Sequence, residues 1–199
     1  LAANQPVSPT APRVRPLVAR LADNERILGA AYRAIAKAAG KGQAITPAGE
    51  WLLDNYHLVE RQVREVRTDL PPGYYKQLPK LSSGPLAGYP RVFGLAWAFV
   101  AHTDSRFDPE ALTRFVHAYQ TVQPLSIGEL WAVAITLRIV LVENLRRSAV
   151  AIVSRWSARE EADAASSRAL AAERRIATIL RAVSDGITVQ DQAGHLVYA

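Results

Sequence analysis

The sequence predicts an all-α fold: a multi-helix bundle with a long C-terminal helix, ending in a short β-hairpin. Three observations carry this. Apolar residues recur at alternating spacings of three and four through most of the chain, the interval of a helix with one buried face. Cap signatures stand where those stretches begin, at Thr46-Pro47, Asp108-Pro109-Glu110 and Ser126-Ile127-Gly128-Glu129. Breaks rich in Gly and Pro stand where they end, at Gly40-Lys41-Gly42 and Pro71-Pro72-Gly73.

Residues 1–16 are rich in Pro and small side chains, lack periodicity and read as a flexible lead-in. A helix follows from Leu17 to Ala39, with Leu21, Ile27, Leu28, Ala31 and Ile35 on its apolar side. The next begins at Thr46-Pro47, where proline's missing N–H costs nothing. Its stripe is Leu52, Tyr56, Val59, Val63, Val66 and Leu70. Residues 71–90 read as a long Pro/Gly/Tyr loop, a length that usually marks function or tight packing. The short stretch Arg91–His102 is apolar almost all round and is expected at the centre of the core. Asp108 caps a helix whose inward residues are Leu112, Phe115, Val116, Tyr119 and Val122. From the Ser126 capping box a long pattern runs through Leu130, Val133, Leu137, Val140, Leu141, Leu145 and Ile152. These elements make a helical module over 17–153. Residues 154–175 continue as a charged, Ala-rich helical linker, too polar for a core. A last apolar stripe (Ile176, Ile179, Leu180, Val183) is broken by Gly186, and 187–199 alternate as two strands about an Asp191–Gly194 turn.

Composition narrows the function classes. Apolar residues make up 49% and charged residues 21%, ordinary for a folded globular domain of 199 residues. Zero cysteines exclude disulfides, Cys-based zinc sites and thiol catalysis within these residues. The net charge of +6 rests on arginine, since Lys stands only at 37, 41, 76 and 80. It is spread along the chain, so nucleic acid is not an expected partner. No uncharged apolar stretch reaches the roughly 20 residues of a membrane span. With no Met, an opening on Leu1 and an end inside a strand, the chain reads as a piece of a longer polypeptide.

Several polar groups stand out. Glu50, Asp54, His57, Glu60 and Arg64 lie on one helix, with Asp54–His57 and Glu60–Arg64 at pairing distance along it. They read as structural pairs in preference to an acid/base couple, because nothing supplies a closed pocket. His57, His102, His117 and His195 show no metal-ligand spacing, so no metal is expected. Tyr74, Tyr75 and Lys76, with Arg91 beyond Tyr89-Pro90, offer aromatic faces and cations suited to stacking on a sugar or gripping a phosphate. The competing reading is that these aromatics staple the loop onto helices. Trp97 and Trp131 are expected in the core, so that they and Trp51 do not form a carbohydrate platform. Arg138, Glu143, Asn144 and Arg147 interrupt the long apolar helix. Charges there need partners, and Arg138 is expected to reach an acidic residue on a neighbouring element, such as Glu50 or Asp104, fixing helix register. No catalytic residue is assigned.

Three stretches carry a family likeness: ITPAGEWLLDNYHLVERQVREVRTDLPPGYYKQLPKL (Ile45–Leu81), GPLAGYPRVFGLAWAFVAHTDSRFD (Gly84–Asp108) and LSIGELWAVAITLRIVLVENLRR (Leu125–Arg147). Over about 15–165 the chain closely resembles the N-terminal cytoplasmic region of bacterial cyclic β-1,2-glucan synthases, large inner-membrane glycosyltransferases. The resemblance implies a parent that uses UDP-glucose, with its catalytic domains downstream. It implies a place on the cytoplasmic side of the inner membrane for this piece, itself soluble and without a cofactor. Expected partners are the parent's downstream domains and a protein contacting the charged helix 154–175. The tail, Ile179–Ala199, resembles the opening of a PAS sensor domain, which implies an alternative role as a helical input module of a signalling protein. A third reading is a helical interaction domain with a protein partner.

Overall fold

The computed structural model describes residues 1–70, 72–186, 189–190 and 196–197. Among the described residues the α-helices are α1 (Leu17–Gly40), α2 (Pro47–Asp69), α3 (Pro72–Gln77), α4 (Arg91–His102), α5 (Pro109–Gln120) and α6 (Ile127–Gly186). Their ends follow from local chemistry. The Thr46 hydroxyl accepts the Gly49 amide at 3.2 Å, and Pro47 opens α2. The Asp108 carboxylate accepts the Glu110 and Ala111 amides at 2.9 and 3.2 Å. Ser126 and Glu129 form the reciprocal box: the Ser126 hydroxyl accepts the Glu129 amide at 3.2 Å, and the Glu129 carboxylate accepts the Ser126 amide at 2.9 Å. After α1, Gly42 takes a left-handed backbone (φ 71°), and the 42 and 43 amides turn back onto the Ala39 and Ala38 carbonyls.

Two compact units divide the chain, Leu1–Val153 and Ser154–Ala199. The core of the first unit is built from Leu17, Leu21, Leu28 and Ile35 of α1, Leu52, Val63 and Val66 of α2, Phe93 and Leu95 of α4, and Leu137, Ile139 and Val140 of α6. Tyr32 of α1 stacks on Tyr56 of α2 at 4.4 Å between ring centres. Phe99 of α4 meets Phe115 of α5 at 5.6 Å.

Residues 71–90 are shorter on loop than their composition suggests. Pro72–Gln77 form α3, since proline is well placed in a first turn. The rest is stitched by backbone bonds: the Leu81 amide to the Tyr89 carbonyl (2.9 Å), Gly88 to Leu81 (2.8 Å) and Arg91 to Pro79 (2.8 Å). The aperiodic residues 1–16 join this structure. Ala2–Asn4 make one 3-10 turn, Val7 bridges Leu81, and the Ser8 and Ser82 amides reach the Lys80 and Pro6 carbonyls. Gly88 sits directly under Pro12 at φ 85°, where no side chain fits.

Three expected inward positions are corrected. Val122 lies past the end of α5 and is exposed. Leu130 is also exposed, and Trp131, expected in the core, is 76% exposed. The buried side of this stretch of α6 is Glu129, Ala132, Val133, Thr136, Leu137, Ile139, Val140, Val142 and Glu143. A stripe read from apolar residues alone skips the two acids and so turns the helix away from its true inner side.

In the second unit, the α6 side chains from Ser157 to Thr178 are all exposed. Beyond α6, Val189–Gln190 pairs antiparallel with Leu196–Val197, two residues on each strand.

Candidate functional site

Buried charges must find partners, and among the described residues of the first unit Arg91, Glu129 and Glu143 do so at two places. At the first, Arg20 of α1 clasps Glu143 of α6: its Nε and Nη2 donate to the two carboxylate oxygens at 2.6 and 2.5 Å, and Nη1 donates to the Tyr89 hydroxyl at 3.1 Å. The guanidinium lies within 5.4–5.7 Å of the ring centres of Tyr89, Phe93 and Trp97. Arg147 covers Trp97 at 4.6 Å and donates to Glu143 at 3.3 Å. The Glu143 hydrogen bonds drive the Arg20 pKa further up, against the effect of burial. For Glu143, burial alone pushes the carboxyl upward; hydrogen bonds from Arg20, then the charges of Arg20, Arg147 and Arg146, outweigh it and hold the group below its ordinary 4.5.

Beside this pair a cleft of about 140 Å³ opens between the end of α4 and the middle of α6, lined by Trp97, Asp104, Ser105, Glu143, Asn144 and Arg147. Asp104 and Ser105 both take left-handed backbone (φ 50° and 63°), and the Ser105 amide closes α4 onto the Val100 carbonyl at 3.0 Å. Asn144 donates its amide to the Ser105 hydroxyl. The cleft offers an indole edge and hydrogen-bonding groups, a surface for contact. Its buried acid, Glu143, is already spent on arginine, and its other carboxyl, Asp104, is exposed, so the cleft holds no buried carboxyl free to move a proton.

At the second place, Arg91 of α4 is 6% exposed and Glu129 of α6 1%. Nε and Nη2 donate to the carboxylate at 2.9 and 2.7 Å; Nη1 and Nη2 also reach Gln123 Oε1 and the Pro124 carbonyl at 3.0 and 3.1 Å. Hydrogen bonding to Glu129, more than any other effect, raises the Arg91 pKa.

The expected ligand set Tyr74, Tyr75, Lys76 and Arg91 does not converge. Tyr74 donates its hydroxyl to the Gly128 carbonyl. The Tyr75 hydroxyl is buried without a well-formed hydrogen bond among the described residues, and burial pushes its pKa up. Lys76 is exposed and borders a separate groove with Lys80, and Arg91 is consumed by Glu129. The Tyr74 bond ties α3 to the start of α6.

Glu50, Asp54, His57, Glu60 and Arg64 are all exposed on α2, and among the described residues no ion pair joins any two of them. Arg138 reaches neither Glu50 nor Asp104; it pairs with Asp69 at 3.3 Å and Glu65 at 3.7 Å, and is itself partly exposed. Trp97 is half-buried, as a wall of the cleft. Sequence reasoning passed over Arg20, and it took Glu129 for a cap and nothing more. The available signal was a charge at the helical interval of an otherwise apolar inner face. Among the described residues no group of three His, Cys, Asp or Glu side chains is placed to hold a metal.

Against known proteins, 135 residues, 67% of this chain, align at 49% identity with the cyclic β-(1,2)-glucan synthase NdvB of Rhizobium meliloti (strain 1021). Over those residues the chain is homologous to a cyclic β-1,2-glucan synthase. The aligned part spans only 5% of the rhizobial synthase. No family model matches the chain. The PAS reading of Ile179–Ala199 gains no support: most of 187–199 lies outside the described residues, and two strands of two residues each do not make a sensor sheet. No helix among the described residues is long and apolar enough to cross a membrane.

The Arg20–Glu143 pair makes a pH prediction. Because the native carboxyl titrates below the ordinary value, the unfolded chain binds its proton at higher pH than the native one. The pair's contribution is therefore complete above the ordinary value and is lost as pH falls through the native one. Glu143→Gln should lower stability in urea by about 1–3 kcal/mol at pH 7. The gap should narrow progressively as pH falls below the ordinary carboxyl value. A gap unchanged down to pH about 3 would refute the pairing.

Proposed function

We propose that this chain is a non-catalytic helical scaffold or regulatory segment, lying near the N-terminus of a cyclic β-1,2-glucan synthase-like membrane glycosyltransferase. The observation that carries the reading is the 49% identity with the rhizobial synthase over 67% of the chain. The arrangement of its charges supports a structural role: Glu129 and Glu143, the two buried acids among the described residues, are each clasped by an arginine. In this reading UDP-glucose is consumed by downstream domains of the parent, and those domains are the segment's partners, on the cytoplasmic side of the membrane.

Two measurements test it. The purified chain, incubated with radiolabelled UDP-glucose, should form no glucan above a protein-free blank; glucan formation would overturn the non-catalytic assignment. The homologous stretch of the rhizobial synthase, replaced by this chain's, should leave cyclic glucan production within about threefold of the native enzyme, a change of under ~1 kcal/mol. Deletion of the stretch should abolish production. A deletion that leaves synthesis untouched sinks the scaffold role.

A further inference from the structure

In the second unit, α6 carries a pattern that its own unit does not use. Ala162, Ala165, Ala169, Ala172 and Ile176 follow one another at intervals of three, four, three and four, and the sequence continues the beat with Ile179 and Val183. This is a heptad repeat with its seam at the first and fourth positions, held over three heptads. Yet Ile176 is 57% exposed, and so are the alanines before it. A seam with a 3.5-residue period matches a helix of the same period, and the flanking charges say which one. In two parallel copies in register, each residue before a seam position faces the residue five further along on the other copy. That sets Arg168 against Glu173, Glu161 against Ser166 and Arg175 against Leu180: one attraction and no like pair. Laid antiparallel with the seam fully overlapped, Arg168 instead faces Arg175, twice by symmetry.

We propose that residues 158–183 form a parallel, in-register, two-stranded coiled coil with a second copy of this chain. The four alanine rungs let the helix backbones approach closely. Ile176 adds a large apolar rung, on a beat that the sequence continues at 179 and 183. Because half the seam is alanine, the association is concentration-dependent.

Sedimentation of the full 199-residue chain tests this. Mass should rise with concentration from 21.7 kDa to twice that value and stop there; a monomer at every concentration, or any other final mass, overturns the proposal. Ile176→Glu should weaken association at least tenfold. Leu170→Glu, at an equally exposed position outside the seam, should leave it within twofold, and equal loss from both would mean non-specific adhesion and overturn the seam. Arg168→Glu should weaken the dimer, and adding Glu173→Arg should restore it. Since the chain has no cysteine, Ala162→Cys reports orientation: parallel copies cross-link through it on mild oxidation. Antiparallel copies hold the two positions about 25 Å apart and do not; failure of the cross-link in a dimeric sample overturns the parallel arrangement. All five positions are exposed, so the helical circular dichroism of each variant should match the parent's.

Discussion

Glu129→Ala is expected to destabilise the chain by about 3–5 kcal/mol, the range for breaking a buried ion pair by removing one partner. The Arg91 guanidinium would stay in place, 6% exposed, with only Gln123 and the Pro124 carbonyl to receive it. The Ser126 box that starts α6 would be lost at the same stroke, a further ~1 kcal/mol. Two companion variants separate these effects. Glu129→Gln keeps an acceptor for the Ser126 amide and should lose less. Arg91→Met with Glu129→Leu removes both charges, and should recover much of what either single alanine loses, because two desolvated ions give way to apolar contact. Urea midpoints at unchanged slope make the comparison. A loss under about 1 kcal/mol would put the pair on a level with surface ion pairs and contradict its burial.

Gly88→Val is expected to cost about 3 kcal/mol and to release the N-terminal residues. At φ 85° a β-branched residue is strained, and the new Cβ would stand 2.4 Å from the Pro12 carbonyl oxygen and 2.6 Å from Val14 Cγ1. A backbone oxygen cannot swing aside as a side-chain tip can, so residues 12–14 must move. Trypsin should then cut after Arg13 at least tenfold faster than in the parent chain, about 1.4 kcal/mol of added opening. Gly84 is the control: its φ is 82°, but nothing lies within 4 Å of an added Cβ. Gly84→Ala should therefore show the backbone strain alone, about 1 kcal/mol, without the new cut. Equal cleavage in both variants would mean that the contact under Pro12 holds nothing down.

The helices were legible because their determinants are local. Caps at Thr46, Asp108 and Ser126 and the break at Gly42 act within a few residues, so ends read from sequence fall at or beside those observed. What was illegible depends on partners far along the chain. Arg20 meets Glu143 across 123 positions and Arg91 meets Glu129 across 38. Nothing in the spacing of either couple announces the meeting. Residues 1–16 have no periodicity, since they are held at separate points, by Ala2 packed with Leu95 and Tyr119 and by backbone bonds joining Pro6 and Ser8 to the 80–82 strip, and not by one repeating face. Trp131 misled for a related reason: a large apolar residue in an apolar helix reads as core, but the acid two positions earlier already holds the inner side. The polar row on α2 was visible as a row, yet among the described residues no ion pair joins its members, because solvent competes for exposed charges.

The two clasped acids stand fourteen residues apart, close to four turns, and their arginines come from different helices. Sliding this stretch of α6 by a single turn, about 5.4 Å, would strand both carboxylates at once. Rolling it would do the same. Within the first unit the rod therefore has one seating and no half-way stops. Any message it passes on must come as a jump between discrete arrangements, with no graded drift between them.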